Sequence, residues 1–257
     1  MKKKIRCILY LLFISMFFVS GYFLYNYYSA IKSDIETNNK VTDLIKYKED
    51  VSVNINDSRD YSALYKENND FIGWLDIDDT VIDYPVMQTK QDEEYYLHRN
   101  FYKQYSFAGT LFCNAISDIQ KPSSNIIIYG GNMNAGTMFK ELMKYEKEDF
   151  YKEHKYITFD TIYEYGTYEV IAAFRTDAND GTYEYYEFAD GTEKDFNTYL
   201  NYATKRTHYK PESSATYGDK LISLVTCAYH TENGRFVVVA KQIESSPQDQ
   251  NLFTISK

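Results

Sequence analysis

The sequence predicts a mostly β protein: a closed or nearly closed barrel of about eight short strands, with helices at its N-terminus and a helical insertion late in the chain. Three observations predict it. From Asp70 onward the chain breaks into short runs rich in β-branched and aromatic residues, each bounded by turn residues. Only two stretches in that part have helical texture, and so many short strands with so few helices favour closure of the sheet. A chain of 257 residues that is 44% hydrophobic and 18% aromatic has ample material for a packed core, which excludes disorder as an overall reading.

The elements follow in order. Residues 1–28 read as a basic tip and a transmembrane signal-anchor: Cys7 to Leu24, CILYLLFISMFFVSGYFL, is close to the length that crosses a bilayer, and Tyr25, Tyr27 and Tyr28 follow as interfacial aromatics. Lys2, Lys3, Lys4 and Arg6 precede the run. The positive-inside rule therefore keeps the N-terminus in the cytoplasm and places everything after about Ser29 outside the cell membrane, as a single-pass protein. A cleaved secretory signal is the competing reading. The run is long for one, and no A-x-A-like site follows, so an uncleaved anchor is expected. Residues 29–60 read as a stalk and helical lead-in, with Ile31, Ile35, Val41, Leu44 and Ile45 too loosely spaced for a coiled coil.

Residues 61–243 form the expected working domain. FIGWLDI, DDT and VIDYPVM read as a hairpin. Further strands are expected at 109–113, 125–129, 156–160, 165–174, 221–227 and 235–241, and helices at Thr137 to His154 and roughly Glu193 to Lys205. Residues 244–257, containing ESSPQDQ, read as a flexible tail.

Charge and cysteine content remove several function classes. Of 28 Lys and Arg, four precede the apolar run, so the portion beyond it carries 24 against 37 Asp and Glu, a formal charge of −13. Nucleic acid is not an expected partner, because phosphate binding needs a basic face. Three cysteines, Cys7, Cys113 and Cys227, with Cys7 at the membrane, exclude a disulfide scaffold. No Cys-x-x-Cys or His-x-x-x-His spacing exists, so no metal site and no cofactor are expected. Asp76, Asp78 and Asp79 lack the glycine and distal glutamate of a calcium loop and read as a solvated hairpin turn. GGNMNAG lacks the Lys-Ser/Thr of a phosphate loop. Most of the 28 tyrosines read as core and surface aromatics, and some can line a peptide groove.

The chemistry concentrates near the C-terminus. A cysteine ending a buried strand is ordinarily core filler, and Cys113 at the end of GTLFC is read that way. Cys227 ends LISLVTC, however, and after AYHTENG a second run, RFVVVAK, opens with Arg235. A tight connection between antiparallel strands would bring thiol and guanidinium to the same end of the sheet. There the fixed positive charge favours thiolate and can hold a developing oxyanion.

LVTCAYHTENGRFVVVAK resembles the strand, loop and strand of the sortase family, a Thr-Cys pair followed by an Arg opening the last strand. The resemblance extends backwards through YKENNDFIGWLDIDDTVIDYPVMQ, YLHRNFYKQYSFAGTLF and SSNIIIYGGNMNAGTMFKEL, covering about residues 60 to 243. The single N-terminal anchor and the helical insertion before the cysteine strand point to class B. The resemblance implies a sortase-type barrel and a cysteine transpeptidase. Cys227 would attack a Thr–Gly or equivalent carbonyl of the sorting-signal peptide of a secreted surface protein, and a peptidoglycan amine would release the thioacyl intermediate onto the cell wall. Arg235 would hold the oxyanion and position substrate. Tyr129 and Thr226 match pocket-lining positions.

The chain departs from the family pattern at the general acid. Where the family reads Tyr-Gly-His-Asn-Met, this chain reads Tyr129-Gly130-Gly131-Asn132-Met133, so Gly131 occupies the histidine position. Val225 stands where class B members commonly have serine. His98, His154, His208 and His230 read as exposed loop or helix-end residues, and His230, three residues past Cys227, belongs to the loop beside the cysteine. Losing a positioned general acid costs roughly 10²- to 10⁴-fold in rate. An impaired enzyme is therefore expected, with a non-catalytic sorting-signal binder or a membrane-tethered β-barrel interaction module as alternatives.

Overall fold

The computed structural model describes residues 2–47, 59–179 and 181–253. Helix α1 (Lys2–Thr42) leads to a small ribbon of β1 (Lys46–Tyr47) and β2 (Arg59–Asp60), then α2 (Ser62–Glu67). The barrel follows: β3 (Phe71–Asp76), β4 (Asp83–Met87), β5 (Leu111–Cys113), β6 (Asn125–Tyr129), β7 (Tyr156–Thr161) and β8 (Glu164–Asp177). Helix α3 (Glu148–Glu153) precedes β7, and α4 (Glu193–Arg206) separates β8 from β9 (Leu221–Cys227) and β10 (Gly234–Pro247). The eight strands close in the order β10-β8-β7-β3-β4-β5-β6-β9. The predicted mostly β, eight-stranded barrel is the observed one, and closure leaves none of its eight strands as an open edge.

Closure has a visible sequence basis. β9 pairs in parallel with β6 and antiparallel with β10, so it lies in the middle of the sheet. Both faces of LISLVTC are covered, and the run is accordingly almost continuously apolar rather than alternating. Ile222, Leu224, Phe236 and Val238 fill the barrel with Trp74, Phe71 and Phe159. Leu221, Val225, Val237 and Val239 point outward, under Phe196, Tyr199 and Ala203 of α4. Helix α4 starts where a reciprocal capping box fixes it: the Thr192 side chain accepts from Asp195 N–H, and the Asp195 carboxylate accepts from Thr192 N–H.

Three readings change. The helix expected over 137–154 is a 3-10 helix, Phe139–Glu146, and then α3, broken at Lys147, which is extended (φ −103°, ψ 130°). Phe139, Leu142 and Tyr145 are buried at three-residue spacing, and in a 3-10 helix residues i and i+3 eclipse on one face. The C-terminal segment is no frayed end at Ile243: β10 continues to Pro247, opposite Glu164 of β8, and buried Gln248 donates to the Thr161 carbonyl. Polar composition hid this strand because its outer edge faces water. Residues 29–42 extend α1 and lean on the barrel, with Val41 buried, Asn38 donating to the Asp83 carbonyl and Asp34 accepting from Ala108 N–H. Part of the lead-in predicted over 29–60 lies outside the described residues.

Candidate active site

The β9–β10 register sets Arg235 directly opposite Cys227, and the β10–β8 register sets Thr176 opposite Arg235 on the other side. Paired residues on neighbouring strands face the same way. Cys227 and Arg235 therefore share the outward face, continuing the alternation of Leu221, Ser223 and Val225. Both are half-buried. The one hydrogen bond of the Arg235 side chain runs from Nη1 to the Gly234 carbonyl, which leaves the guanidinium without an ion pair among the described residues. Its charge is thus available to a thiolate or to an oxyanion.

The loop after β6 is anchored to the same place. Gly130 N–H donates to the Val225 carbonyl at 3.0 Å, Thr226 Oγ1 donates to the Gly130 carbonyl at 2.7 Å, and Asn132 Nδ2 donates to the Cys227 carbonyl at 2.7 Å. Gly131 stands between two residues bonded to the last rungs of β9. Its own carbonyl accepts from Phe139 N–H, which closes the loop over the 3-10 helix. The two adjacent glycines differ in what surrounds them. A Cβ on Gly130 would sit 2.5 Å from Leu111 Cδ2 and 2.5 Å from Phe139 Cδ2, so no side chain fits there. A Cβ on Gly131 would meet only the flexible Met133 thioether at 3.0 Å and the Ala108 carbonyl at 3.4 Å. Position 131 has room for a side chain and lacks one.

Tyr129 ends β6, stacked on Phe112 at 5.4 Å. Tyr185, in the short 3-10 turn Tyr185–Glu187 between β8 and α4, packs in the outer apolar cluster beside Tyr129, within electrostatic reach of Arg235 and Cys227. Burial pushes both phenols up, and the Arg235 guanidinium opposes that shift. They stay neutral and offer O–H donors and ring faces to a ligand. The sequence reading missed Tyr185 and Asn132. The available signals were the aromatic run TYEYYEF ahead of α4 and the amide next to the empty histidine position.

None of the four histidines lies in the loop that carries Gly131. The His230 ring turns back on its own loop: Nδ1 lies 2.9 Å from the Ala228 carbonyl, and the ring occupies the space where a Gly234 side chain would go. His154 caps α3 with Nδ1 3.0 Å from the Asp78 carbonyl and its ring against Phe150. His98 and His208 are exposed. Cys113 is fully buried opposite Ile128, and burial pushes its thiol up to about 12, so it is no nucleophile. No group of three or more potential metal ligands occurs among the described residues.

A closed β-barrel thus carries a thiol and a guanidinium without an ion pair among the described residues on one rung, the residue pair that the resemblance to sortases, a family of cysteine transpeptidases, singles out. The model of the sortase domain matches residues 75–243. The chain belongs to the sortase family, class B. It is 35% identical over 182 residues to sortase B of Listeria monocytogenes, covering 70% of this chain and 72% of that one. It is 31% identical over 190 residues to sortase B of Staphylococcus aureus, covering 72% and 75%. Among solved structures it superposes on sortase B from Bacillus anthracis in complex with AAEK1 with a TM-score of 0.72 at 28% identity, covering 84% of this chain and 99% of that one. The Staphylococcus aureus sortase B–substrate complex gives 0.66 at 30% identity, covering 72% and 84%. At the N-terminus, one helix is long and apolar enough to cross a membrane, and the apolar window in it is wholly uncovered by the rest of the protein.

Proposed function

We propose that this sortase captures the sorting signal of secreted surface proteins on Cys227 and transfers it to a peptidoglycan amine, slowly, because position 131 supplies no general acid. The observation that carries the reading is the shared rung of Cys227 and Arg235, with the Gly130–Asn132 loop hydrogen-bonded to the same strand end. The Cys227 sulfur adds to the scissile carbonyl, and Arg235 bears the oxyanion. The C–N bond breaks to leave a thioester and a leaving amine that must take a proton. The acceptor amine then attacks the thioester, forms the new amide and returns the thiol. Tyr129 lines the groove, while Thr226, expected there too, is buried on the barrel-facing side of β9 and braces the Gly130 carbonyl instead. The solved Staphylococcus aureus sortase B–substrate complex supports substrate binding on this fold. The apolar helix holds the chain in the cell membrane with its basic tip cytoplasmic and the barrel outside.

Every group in this scheme is present except a donor for the leaving amine. Water must supply that proton where a positioned acid would contribute roughly 10²- to 10⁴-fold. That single vacancy favours the second reading, a sorting-signal binder that holds its peptide with little turnover. Gly131→His separates the two. With quenched peptides carrying a Thr–Gly bond and an amine acceptor, the histidine variant is expected to cleave about 10²-fold faster or more than the parent. No gain in cleavage would overturn the assignment of position 131.

A further inference from the structure

The geometry points to a second membrane contact: the exposed aromatics Tyr105 and Phe107 of the loop between the 3-10 turn Glu93–His98 and β5 sit in the interfacial layer of the bilayer that α1 crosses. The inference rests on the reading of α1 as a membrane span. Helix α1 serves as a ruler. Its apolar run ends at Leu24, and at a rise of about 1.5 Å per residue Tyr27 lies about 4.5 Å further along the axis. The headgroup region occupies roughly 5–8 Å on each side of the hydrocarbon core, which puts the Tyr27 ring inside it.

The Phe107 ring meets Tyr27 edge-on with centroids 6.1 Å apart, which keeps Phe107 within that distance of the Tyr27 level. A second tether holds the loop there: Ala108 N–H donates to the Asp34 carboxylate at 3.3 Å, two turns further along the helix. Between these levels the chain cannot lift from the membrane without bending α1, which runs unbroken to Thr42 and contains no proline. Against such a fixed background the exposures become informative. Phe107 is 47% exposed and Tyr105 78%, beside Tyr25 at 72% and Tyr28 at 66% on the helix. Tyrosine, with an apolar body and a polar tip, favours this layer, as Tyr105 would; the wholly apolar Phe107 ring gains by leaving water for its apolar side.

Charge identifies the kind of surface. The portion beyond the anchor carries a formal −13, so attraction to anionic headgroups does not drive the contact. The partner is the glycerol and headgroup zone itself, met by aromatic rings. The barrel then rests on the membrane at a set height, with the Gly131 loop close by, since Ala108 borders position 131.

The test uses the full chain in phosphatidylcholine vesicles with single tryptophan reporters. Trp74, the one native tryptophan, is fully buried, and its signal is subtracted using the parent. Phe107→Trp reports the proposed contact, with Tyr105→Trp as a second reporter if the first misfolds. Phe17→Trp reports the span. Tyr217→Trp, 51% exposed before the start of β9 and so at the opposite end of that strand from Cys227, reports the water-facing side. The expected result is blue-shifted emission from Trp at 107, at least twofold stronger quenching by a headgroup-level nitroxide lipid than at 217, and protection from aqueous acrylamide. Equal acrylamide access at 107 and 217 overturns the contact. If Phe17→Trp is quenched by a deep nitroxide lipid and Phe107→Trp by none, only this inference fails. If Phe17→Trp escapes the deep quencher, the spanning reading fails and takes the inference with it.

Discussion

The β9–β10 hairpin and the loop after β6 meet at one end of the barrel, but they hold their functional positions by different means. In the hairpin, Cys227 and Arg235 are fixed by strand register: one rung sets both backbones, and the alternation of side chains sets both directions. In the loop, position 131 is fixed by four separate bonds: from Gly130 N–H, to the Gly130 carbonyl, from Phe139 N–H to the Gly131 carbonyl, and from Asn132 to Cys227. The hairpin presents a thiol and a guanidinium, whereas the loop presents no side chain at position 131. Gly130 is closed in by Leu111 and Phe139, while Gly131 beside it faces a flexible Met133 side chain and the Ala108 carbonyl.

The largest test of this contrast removes the hairpin's thiol. Cys227→Ala is expected to abolish capture of a sorting peptide as a thioester by mass spectrometry, in the parent and in Gly131→His alike. Cys113 cannot substitute, being buried with its thiol pushed up to about 12. Any residual thioester would place the nucleophile elsewhere.

The adjacent glycines give the next largest difference. Gly130→Ala is expected to lower stability by about 1–3 kcal/mol in denaturant unfolding, the usual cost of overpacking a filled site. Gly131→Ala meets a movable thioether at 3.0 Å and the Ala108 carbonyl at an ordinary 3.4 Å, and the loss of unfolded-state freedom works in its favour, so it should stay within about 0.5 kcal/mol of the parent or gain slightly. Equal losses at the two positions would mean that the loop, too, is held by packing at 131.

The smallest effect concerns Asn132, whose amide ties the loop to the Cys227 carbonyl while its Oδ1 is buried without a hydrogen-bond partner. Asn132→Ala should cost about 1 kcal/mol of stability, the net worth of one hydrogen bond. In the Gly131→His background it should also remove up to about tenfold of the regained rate, by loosening the restored imidazole. A stability loss with the rate untouched would make Asn132 purely structural.

Much of this molecule was legible in the chain. The eight strands, the β3–β4 hairpin and α4 follow from runs and turn residues whose local preference agrees with the final fold. Cys227 and Arg235 stood out because a strand-ending thiol and a strand-opening guanidinium lay eight residues apart. Tyr185 did not stand out, because nothing in a tyrosine-rich segment tells which ring will be folded over a distant strand. The 3-10 path through Phe139–Glu146 was likewise hidden, since periods of 3.0 and 3.6 diverge little over eight residues.

The sequence by itself determined the class of architecture, the strand-ending Cys227, the strand-opening Arg235 and the glycine at position 131, since these rest on residue type and local order. Only the tertiary structure decided that Gly130 is a packing glycine and Gly131 is not, that His230 turns back on its own loop, and that the Tyr27 and Phe107 rings meet. Each of those depends on contacts between segments far apart in the chain, and such contacts are set by closure of the barrel rather than by any local preference.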